Sequence, residues 1–282
     1  MKRTAMIGTA MIGTALGAAA LASCGGIVRS RLYRPPAAPL STAGLGPTVA
    51  PITVTTADGL ALRGLVQPPV GDRPVLLFLH GNASSAAGVM TWLQPILARG
   101  YGFVSAEYRG YSGNPGKPTQ TGIARDADAF YAHARQVAGT RPLYVIGHSL
   151  GGGVAFDLAL RHRLDALVTI AAFASVRDAA PKIARPFIPD PYDNRAAIAK
   201  LDEPLFLIHG DRDAVVSLWH AKQLHEAAAK AHTVGAAVIL AGQDHRPDAA
   251  VLAQVIDAIT LSPAPAHLAP EKVPANARIV PF

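Results

Sequence analysis

The apolar positions of this chain follow two rhythms. Around Ala57-Asp58-Gly59, β-forming and polar residues alternate over Ile52-Thr53-Val54-Thr55-Thr56 and Leu60-Ala61-Leu62-Arg63-Gly64-Leu65-Val66. Alternation on both sides of an Asp-Gly pair predicts a β-hairpin. Beyond it come short unbroken apolar runs: Val75–Leu79, Gly102–Ala106, Leu143–Ile146, Ala166–Ile170, Leu205–Ile208 and Ala237–Leu240. Unbroken runs predict strands buried on both faces, as in a parallel sheet covered by helices. Candidate helices lie between them, near 84–98, 120–138, 150–163, 217–231 and 247–260. These crossovers are long enough for right-handed βαβ units. The pattern predicts a three-layer α/β fold whose sheet is mostly parallel and starts with an antiparallel N-terminal hairpin.

The two ends read differently from the middle. Residues 29–50 are rich in Pro, Ala and Gly without periodicity, which predicts a flexible linker, and the composition turns the same way after 262. At the N-terminus, Lys2 and Arg3 precede Ala5–Ala22, a run without a charge. Its length, about 18 residues, is marginal for a spanning helix, so it reads as a targeting segment. Leu21-Ala22-Ser23-Cys24 follows and resembles the lipobox of bacterial lipoproteins. That resemblance implies cleavage before Cys24 and acylation of its thiol; an ordinary cleaved signal and an uncleaved anchor are the alternatives. Gly25, where inner-membrane lipoproteins carry Asp, implies by the same resemblance an exported, membrane-anchored protein, on the outer membrane and facing the periplasm. The expected organisation is a signal peptide over 1–23, a lipidated Cys24 with its linker over 24–50, a globular domain over 51–261 and a Pro/Ala-rich tail over 262–282.

Composition narrows the classes. Half the residues are hydrophobic and 16% are charged, enough apolar material for a sizeable core. Cys24 is the only cysteine, so no intramolecular disulfide forms. The formal charge is +7, or +5 without Lys2 and Arg3. Arg29, Arg31 and Arg34 could each contribute on the order of 1 kcal/mol of attraction to anionic headgroups, or simply be solvated. No basic helix or aromatic-interleaved stripe points to nucleic acid. The oligomeric state stays open.

The chemistry lies at strand ends. Gly147-His148-Ser149-Leu150-Gly151 follows the run Leu143–Ile146 and opens a helical stretch. G-x-S-x-G alone is a weak signal, but a strand–turn–helix setting is what a nucleophile elbow requires. The glycines permit a tight turn, and the helix start favours developing negative charge. His80-Gly81-Asn82 follows the first parallel run, His209-Gly210-Asp211-Arg212-Asp213 a later one, and Gly242-Gln243-Asp244-His245 the last. A serine, a carboxylate and an imidazole are thus expected at the carboxyl edge of one sheet. Such a set lets His245 take the Ser149 proton and return it to a leaving group, while an acid fixes the imidazole tautomer. Asp211 and Asp213 are both candidates for that acid.

Phe78–Ser85, Tyr108–Thr119, Ile146–Gly152, Phe173–Asp178 and Ile208–Val216 together resemble α/β-hydrolases of the serine-aminopeptidase-like group, including depalmitoylase-like and bud-emergence-type members. The resemblance covers roughly residues 52–260. It implies a catalytic triad of Ser149, Asp213 and His245, since the family pattern H-G-x-x-D places the acid at Asp213. It also implies an oxyanion hole made by the backbone N–H groups of Asn82 and Leu150. The chain departs from the family at Glu107, usually Asp, and at Ser217, often Pro. No cofactor and no metal are expected: Gly113–Thr119 fails the spacing of a phosphate loop, and His209, Asp211 and Asp213 match no metal-ligand motif.

The stretch between Phe173 and Leu205, where the family inserts its lid, is short and broken by Pro181, Pro186, Pro189 and Pro191. A minimal cap and a fairly open cleft are expected. The favoured function is a serine hydrolase for esters or thioesters, with a small-molecule or lipid-like acyl substrate. A peptidase or amidase using the same triad is the alternative, and a non-catalytic envelope lipoprotein of the same fold is a third reading.

Overall fold

The computed structural model describes residues 29–179, 182–261 and 268–282. Cys24 and the targeting run lie outside them.

The alternating segment folds as β1 (Ala50–Thr55) and β2 (Ala61–Gln67), paired antiparallel across the Asp58-Gly59 turn. The unbroken runs become β3 (Val75–Leu79), β4 (Gly102–Ser105), β5 (Leu143–His148), β6 (Ala166–Ile170), β7 (Leu205–Gly210) and β8 (Gly235–Leu240). A last strand, β9 (Ala277–Pro281), completes one nine-stranded sheet in the order β1-β2-β4-β3-β5-β6-β7-β8-β9. Every pairing from β4 through β8 is parallel; β2 joins β4, and β9 joins β8, antiparallel. This is the three-layer, mostly parallel α/β architecture with an antiparallel start that the hydrophobic pattern predicts.

The helices are α1 (Ala86–Trp92), α2 (Gln94–Leu97), α3 (Gln120–Ala138), α4 (Leu150–Ala159), α5 (Asn194–Ile198), α6 (Leu218–Lys230) and α7 (Ala249–Thr260). The single helix expected near 84–98 is two, because Pro95 has no N–H to offer the preceding turn and instead starts α2. Successive strand residues point to opposite faces, and β3 shows the consequence. Val75, Leu77 and Leu79 join Phe130 of α3, Val154 of α4 and Leu224 of α6, whereas Leu76 and Phe78 join Val89 of α1, Ile96 of α2 and Ile256 of α7. Both faces are therefore covered. The cap between β6 and β7 is small, consisting of 3-10 turns at Val176–Ala179 and Lys182–Phe187 followed by α5.

Both ends contribute more than composition suggests. Residues 277–281 lie in the Pro/Ala-rich tail, yet pair in register with β8 and cover its edge. An edge strand tolerates the missing N–H of Pro281. The stretch read as a flexible linker lies against the domain from Arg29 onward. Arg29 Nε donates to Asp190 Oδ2 at 2.7 Å, the Tyr33 and Tyr192 hydroxyls are 3.2 Å apart, and Leu40 N donates to Ser112 O at 3.0 Å. Tyr33, a lone aromatic among prolines and alanines, is buried and holds the strap down.

Arg109 ties the hairpin to the helical layer. Its guanidinium donates to both oxygens of Asp58 at the hairpin turn and to Asp126 of α3, whose side chain is fully buried. Removing one partner of a buried ion pair strands the other charge in a low dielectric. Arg109→Ala is expected to destabilise the fold by about 3–5 kcal/mol in denaturant titration. Arg125→Ala, which removes only an exposed contact to Asp58, should cost roughly 1 kcal/mol or less.

Candidate active site

The turn between β5 and α4 carries Ser149 at φ 53° and ψ −114°, a left-handed conformation that L side chains rarely adopt. Two glycines make it possible. A Cβ on Gly147 would overlap the Gly151 carbonyl, and a Cβ on Gly151 would overlap the carbonyl oxygens of Leu79 and His80. Helix α4 thus starts almost in contact with the end of β3, and Ser149, held by its own N–H to Ile170 O at 2.9 Å, stands at the carboxyl edge of the sheet. Leu150 is the first residue of α4, so its N–H has no carbonyl partner within the helix.

Asp213 lies beyond the end of β7 with its carboxylate fully buried. Oδ1 accepts from the N–H groups of Val215 and Val216, both at 2.8 Å. Oδ2 faces His245 Nδ1 at 2.8 Å. His209 Nε2 donates to Val216 O at 2.8 Å and sits 3.4 Å from Asp213 Oδ2, bracing the same loop. Burial holds the His209 pKa below its ordinary value. Asp211 instead accepts from Gly242 N–H at 2.7 Å on the exposed side of the turn. Of the two acids left open by spacing, Asp213 is the one that meets the imidazole.

His245 is held from behind by His148, whose Nε2 donates to His245 O at 2.9 Å and whose ring centroid is 4.9 Å away. Trp92 also packs against His148 and donates its indole N–H to Pro247 O at 3.1 Å. With Nδ1 engaged by Asp213, Nε2 is the ring nitrogen left for chemistry. No hydrogen bond joins Ser149 Oγ to His245 among the described residues. Without substrate such contacts are often long, and they close when the reacting group is bound.

The loop after β3 forms the other wall. A Cβ on Gly81 would come within 3.2 Å of Ser149 Cβ, so this loop passes directly beside the elbow. Asn82 Oδ1 accepts from Ala83 N–H at 2.9 Å, from Arg34 N–H of the N-terminal strap at 2.6 Å and from the Tyr111 hydroxyl at 3.4 Å. Beneath it lies a pair that the sequence analysis did not single out. His80 Nε2 and Glu107 Oε1 are 2.9 Å apart, both side chains fully buried, and Glu107 Oε2 accepts from Ala86 N–H at the start of α1. His80 Nδ1 lies 2.9 Å from Gly81 O, and Tyr108 donates to His80 O at 3.0 Å. The signal was present in the departure at Glu107, because the longer side chain reaches both His80 and Ala86 at once.

The five sequence-derived positions Ser149, Asp213, His245, Asn82 and Leu150 therefore sit at one edge of the sheet, the first four on loops and Leu150 at the start of α4. A cavity of about 590 Å³ bounded by Val49, Gln67, Pro95 and Gly100 lies near the amino end of β4, away from this edge.

Comparison with known proteins fits this frame. The family described as serine aminopeptidase, S33, matches residues 71–189. An uncharacterized protein of Mycobacterium tuberculosis is 30% identical over 213 residues, covering 72% of this chain and 75% of that protein. The chain belongs to the α/β-hydrolase superfamily. The lysophosphatidylserine lipase ABHD12 of Danio rerio is 31% identical over 188 residues, covering 58% of this chain and 49% of the lipase, about half its length. Among solved structures, the esterase domain of a Rhodothermus marinus protein superposes with a TM-score of 0.56 at 22% identity, covering 74% of this chain and 96% of that one. A puromycin-hydrolyzing peptidase of Mycobacterium tuberculosis superposes at 0.60 and 17% identity, covering 74% of this chain and 38% of the peptidase. At these identities the superpositions establish the fold alone.

Burial, and secondarily the neighbouring His245, push the His148 pKa down to about 3. An unfolded histidine takes up its proton near 6.5. Between those values the unfolded chain binds a proton that the folded chain refuses, so folding stability is full above about 6.5 and declines as the pH falls toward 3. The slope from this group is at most roughly 1.4 kcal/mol per pH unit. Thermal melts between pH 7 and 4 are expected to show a shallower acid decline in His148→Gln, which retains an N–H donor for His245 O.

Proposed function

We propose that the protein is a serine hydrolase cleaving carboxylic esters or thioesters through an acyl-enzyme on Ser149. The observation that carries the reading is the 2.8 Å bond between buried Asp213 and His245 Nδ1, at the same edge of the sheet as a serine held at φ 53° on a helix start. In the first half-reaction, His245 Nε2 takes the Ser149 hydroxyl proton as Oγ bonds to the acyl carbon. The carbonyl oxygen becomes an oxyanion facing the N–H groups of Asn82 and Leu150, each donor worth roughly 2.7–4 kcal/mol of transition-state stabilisation. As the intermediate collapses, the alcohol or thiol leaves with the proton held by His245. Water then repeats the sequence: it gives a proton to His245, adds to the acyl carbon and releases the carboxylic acid, while the proton returns to Ser149 Oγ. Asp213 keeps Nδ1 protonated and steadies the imidazolium throughout.

The preference for esters over amides rests on the small cap, which encloses little of a substrate, and on the named lipase and esterase among the similar proteins. The reading includes acylation of Cys24, which would place the enzyme on the outer membrane facing the periplasm.

A fluorophosphonate probe on the purified protein is expected to label Ser149. Ser149→Ala should lose the label and at least about 10⁴-fold of kcat on p-nitrophenyl esters, and Asp213→Asn should fall by about as much. Faster turnover of aminoacyl amides than of matched esters would move the assignment to a peptidase. Undiminished activity in Ser149→Ala would end it.

A further inference from the structure

Large apolar side chains exposed to solvent are unevenly placed on this molecule. Among the described residues, Ile183 is 86% exposed, Val215 71%, Phe187 57% and Trp219 48%. All four lie on the segments that follow β6 and β7, two adjacent parallel strands, and so at the edge that carries Ser149, Asp213 and His245. Val215 is two residues from Asp213, and its N–H bonds that carboxylate. Trp219 stands on the first turn of α6, packed against His220, which accepts from Ala174 N–H at the base of the cap. Ile183 and Phe187 project from the cap itself. The remaining exposed ones, Val70, Leu160, Val234 and Leu261, stand singly on four separate loops. An apolar cluster around a catalytic rim is a surface looking for a partner.

Two observations identify that partner. The cluster is interleaved with cations: Lys182 adjoins Ile183, Arg212 is three residues from Val215, and Arg177 stands on the cap, all exposed. The exposed acids nearby, Asp211 and Asp244, are engaged with backbone N–H groups. Apolar side chains among basic ones suit an anionic lipid surface, where the rings and branches enter the acyl region and the cations meet headgroups. The second observation is where the chain enters. Arg29 is bonded to Asp190 at the end of the cap, and Arg31 and Arg34 follow it. The 28 residues before it include the uncharged run Ala5–Ala22. From Cys24 to Arg29 even a fully extended chain spans at most roughly 18 Å. A membrane attachment at Cys24 would therefore hold this edge near the bilayer.

We propose that the rim around Ser149 is a bilayer-docking face, in which Ile183, Phe187, Val215 and Trp219 enter an anionic membrane and the substrate is an acyl ester presented by that membrane. The substrate clause rests on the serine-hydrolase reading; the docking clause does not.

The test uses the full chain with vesicles of phosphatidylcholine, with and without one-fifth phosphatidylglycerol. The protein has two tryptophans, so a Trp92→Phe background leaves Trp219 as the single indole. Lipids brominated on the acyl chains should quench its fluorescence, at least 5-fold more strongly at equal lipid with the anionic vesicles. In the wild-type background, Ile183→Asn with Phe187→Asn should leave hydrolysis of a soluble short-chain ester unchanged and slow hydrolysis of a vesicle-embedded long-chain ester at least 10-fold. Val70→Asn, on the opposite edge, should alter neither. The N-terminal run can still bring every variant to the vesicle, so these readouts report the orientation of the face rather than recruitment. Unquenched Trp219, or equal slowing on both esters, would overturn the proposal. So would a dimer that the double variant dissolves while Trp219 remains unquenched. Quenching without hydrolysis of either ester would support the docking face and overturn only the chemistry assigned to Ser149.

Discussion

The site depends on how closely α4 is allowed to approach the sheet. Gly151 lies against the last carbonyls of β3, and Gly147 lies against Gly151, with no room for a Cβ at either position. That approach forces the intervening residue into the left-handed region, at a cost of the order of 1–3 kcal/mol that the surrounding packing must offset. The packing does so with a helix whose residues are nearly all buried, from Leu150 through Ala159, in the core on one face of the sheet. The strain and the exposure of Ser149 therefore have one cause. Relaxing the turn would draw the hydroxyl back toward the sheet and move the first N–H of α4 with it.

The same edge concentrates polar groups that would be costly to bury unpaired, and each is satisfied by backbone at the site. Asp213 takes two N–H bonds from its own loop and leaves one oxygen for His245. Glu107 bonds His80 with one oxygen and the start of α1 with the other. His148 donates to the carbonyl of His245, and burial keeps it neutral, so it braces that residue without adding a competing charge. These groups hold the walls of the site in place, and they couple its three loops so that none can shift alone.

Much of this was legible in the sequence, and the limits were physical. Unbroken runs such as Leu143–Ile146 gave strand positions to within a residue or two, since burial on both faces leaves no polar register to misread. The pairing of Asp213 rather than Asp211 with His245 was not available from spacing, which puts both at the same strand end; it came from the resemblance, and the geometry agrees. What patterning missed are features resting on one residue in an uninformative context. Tyr33 is a single aromatic in a stretch composed like a linker, and β9 is five residues inside a stretch composed like a tail. Composition averages over such windows, whereas one buried ring or one covered edge decides whether the segment docks. The His80–Glu107 pair was missed for a different reason: the contact spans 27 residues, and each member taken alone looks like a turn or strand-end residue.

The strap changes how the two ends of the molecule relate to the chemistry. Arg34 donates its backbone N–H to Asn82 Oδ1, the same side chain that bonds Ala83 and fixes the left-handed turn after the Asn82 amide. Being a backbone bond, it is indifferent to the identity of residue 34 and sensitive to where the strap runs. Its path is set by Tyr33 against Tyr192 and by Arg29 against Asp190, both partners on the cap segment. The strap therefore bridges two loops, the cap after β6 and the loop after β3, that share no strand pairing with each other. The packed structure therefore begins by residue 29 rather than at the first strand, and the segment leading from the N-terminus lies against the loop that carries Asn82.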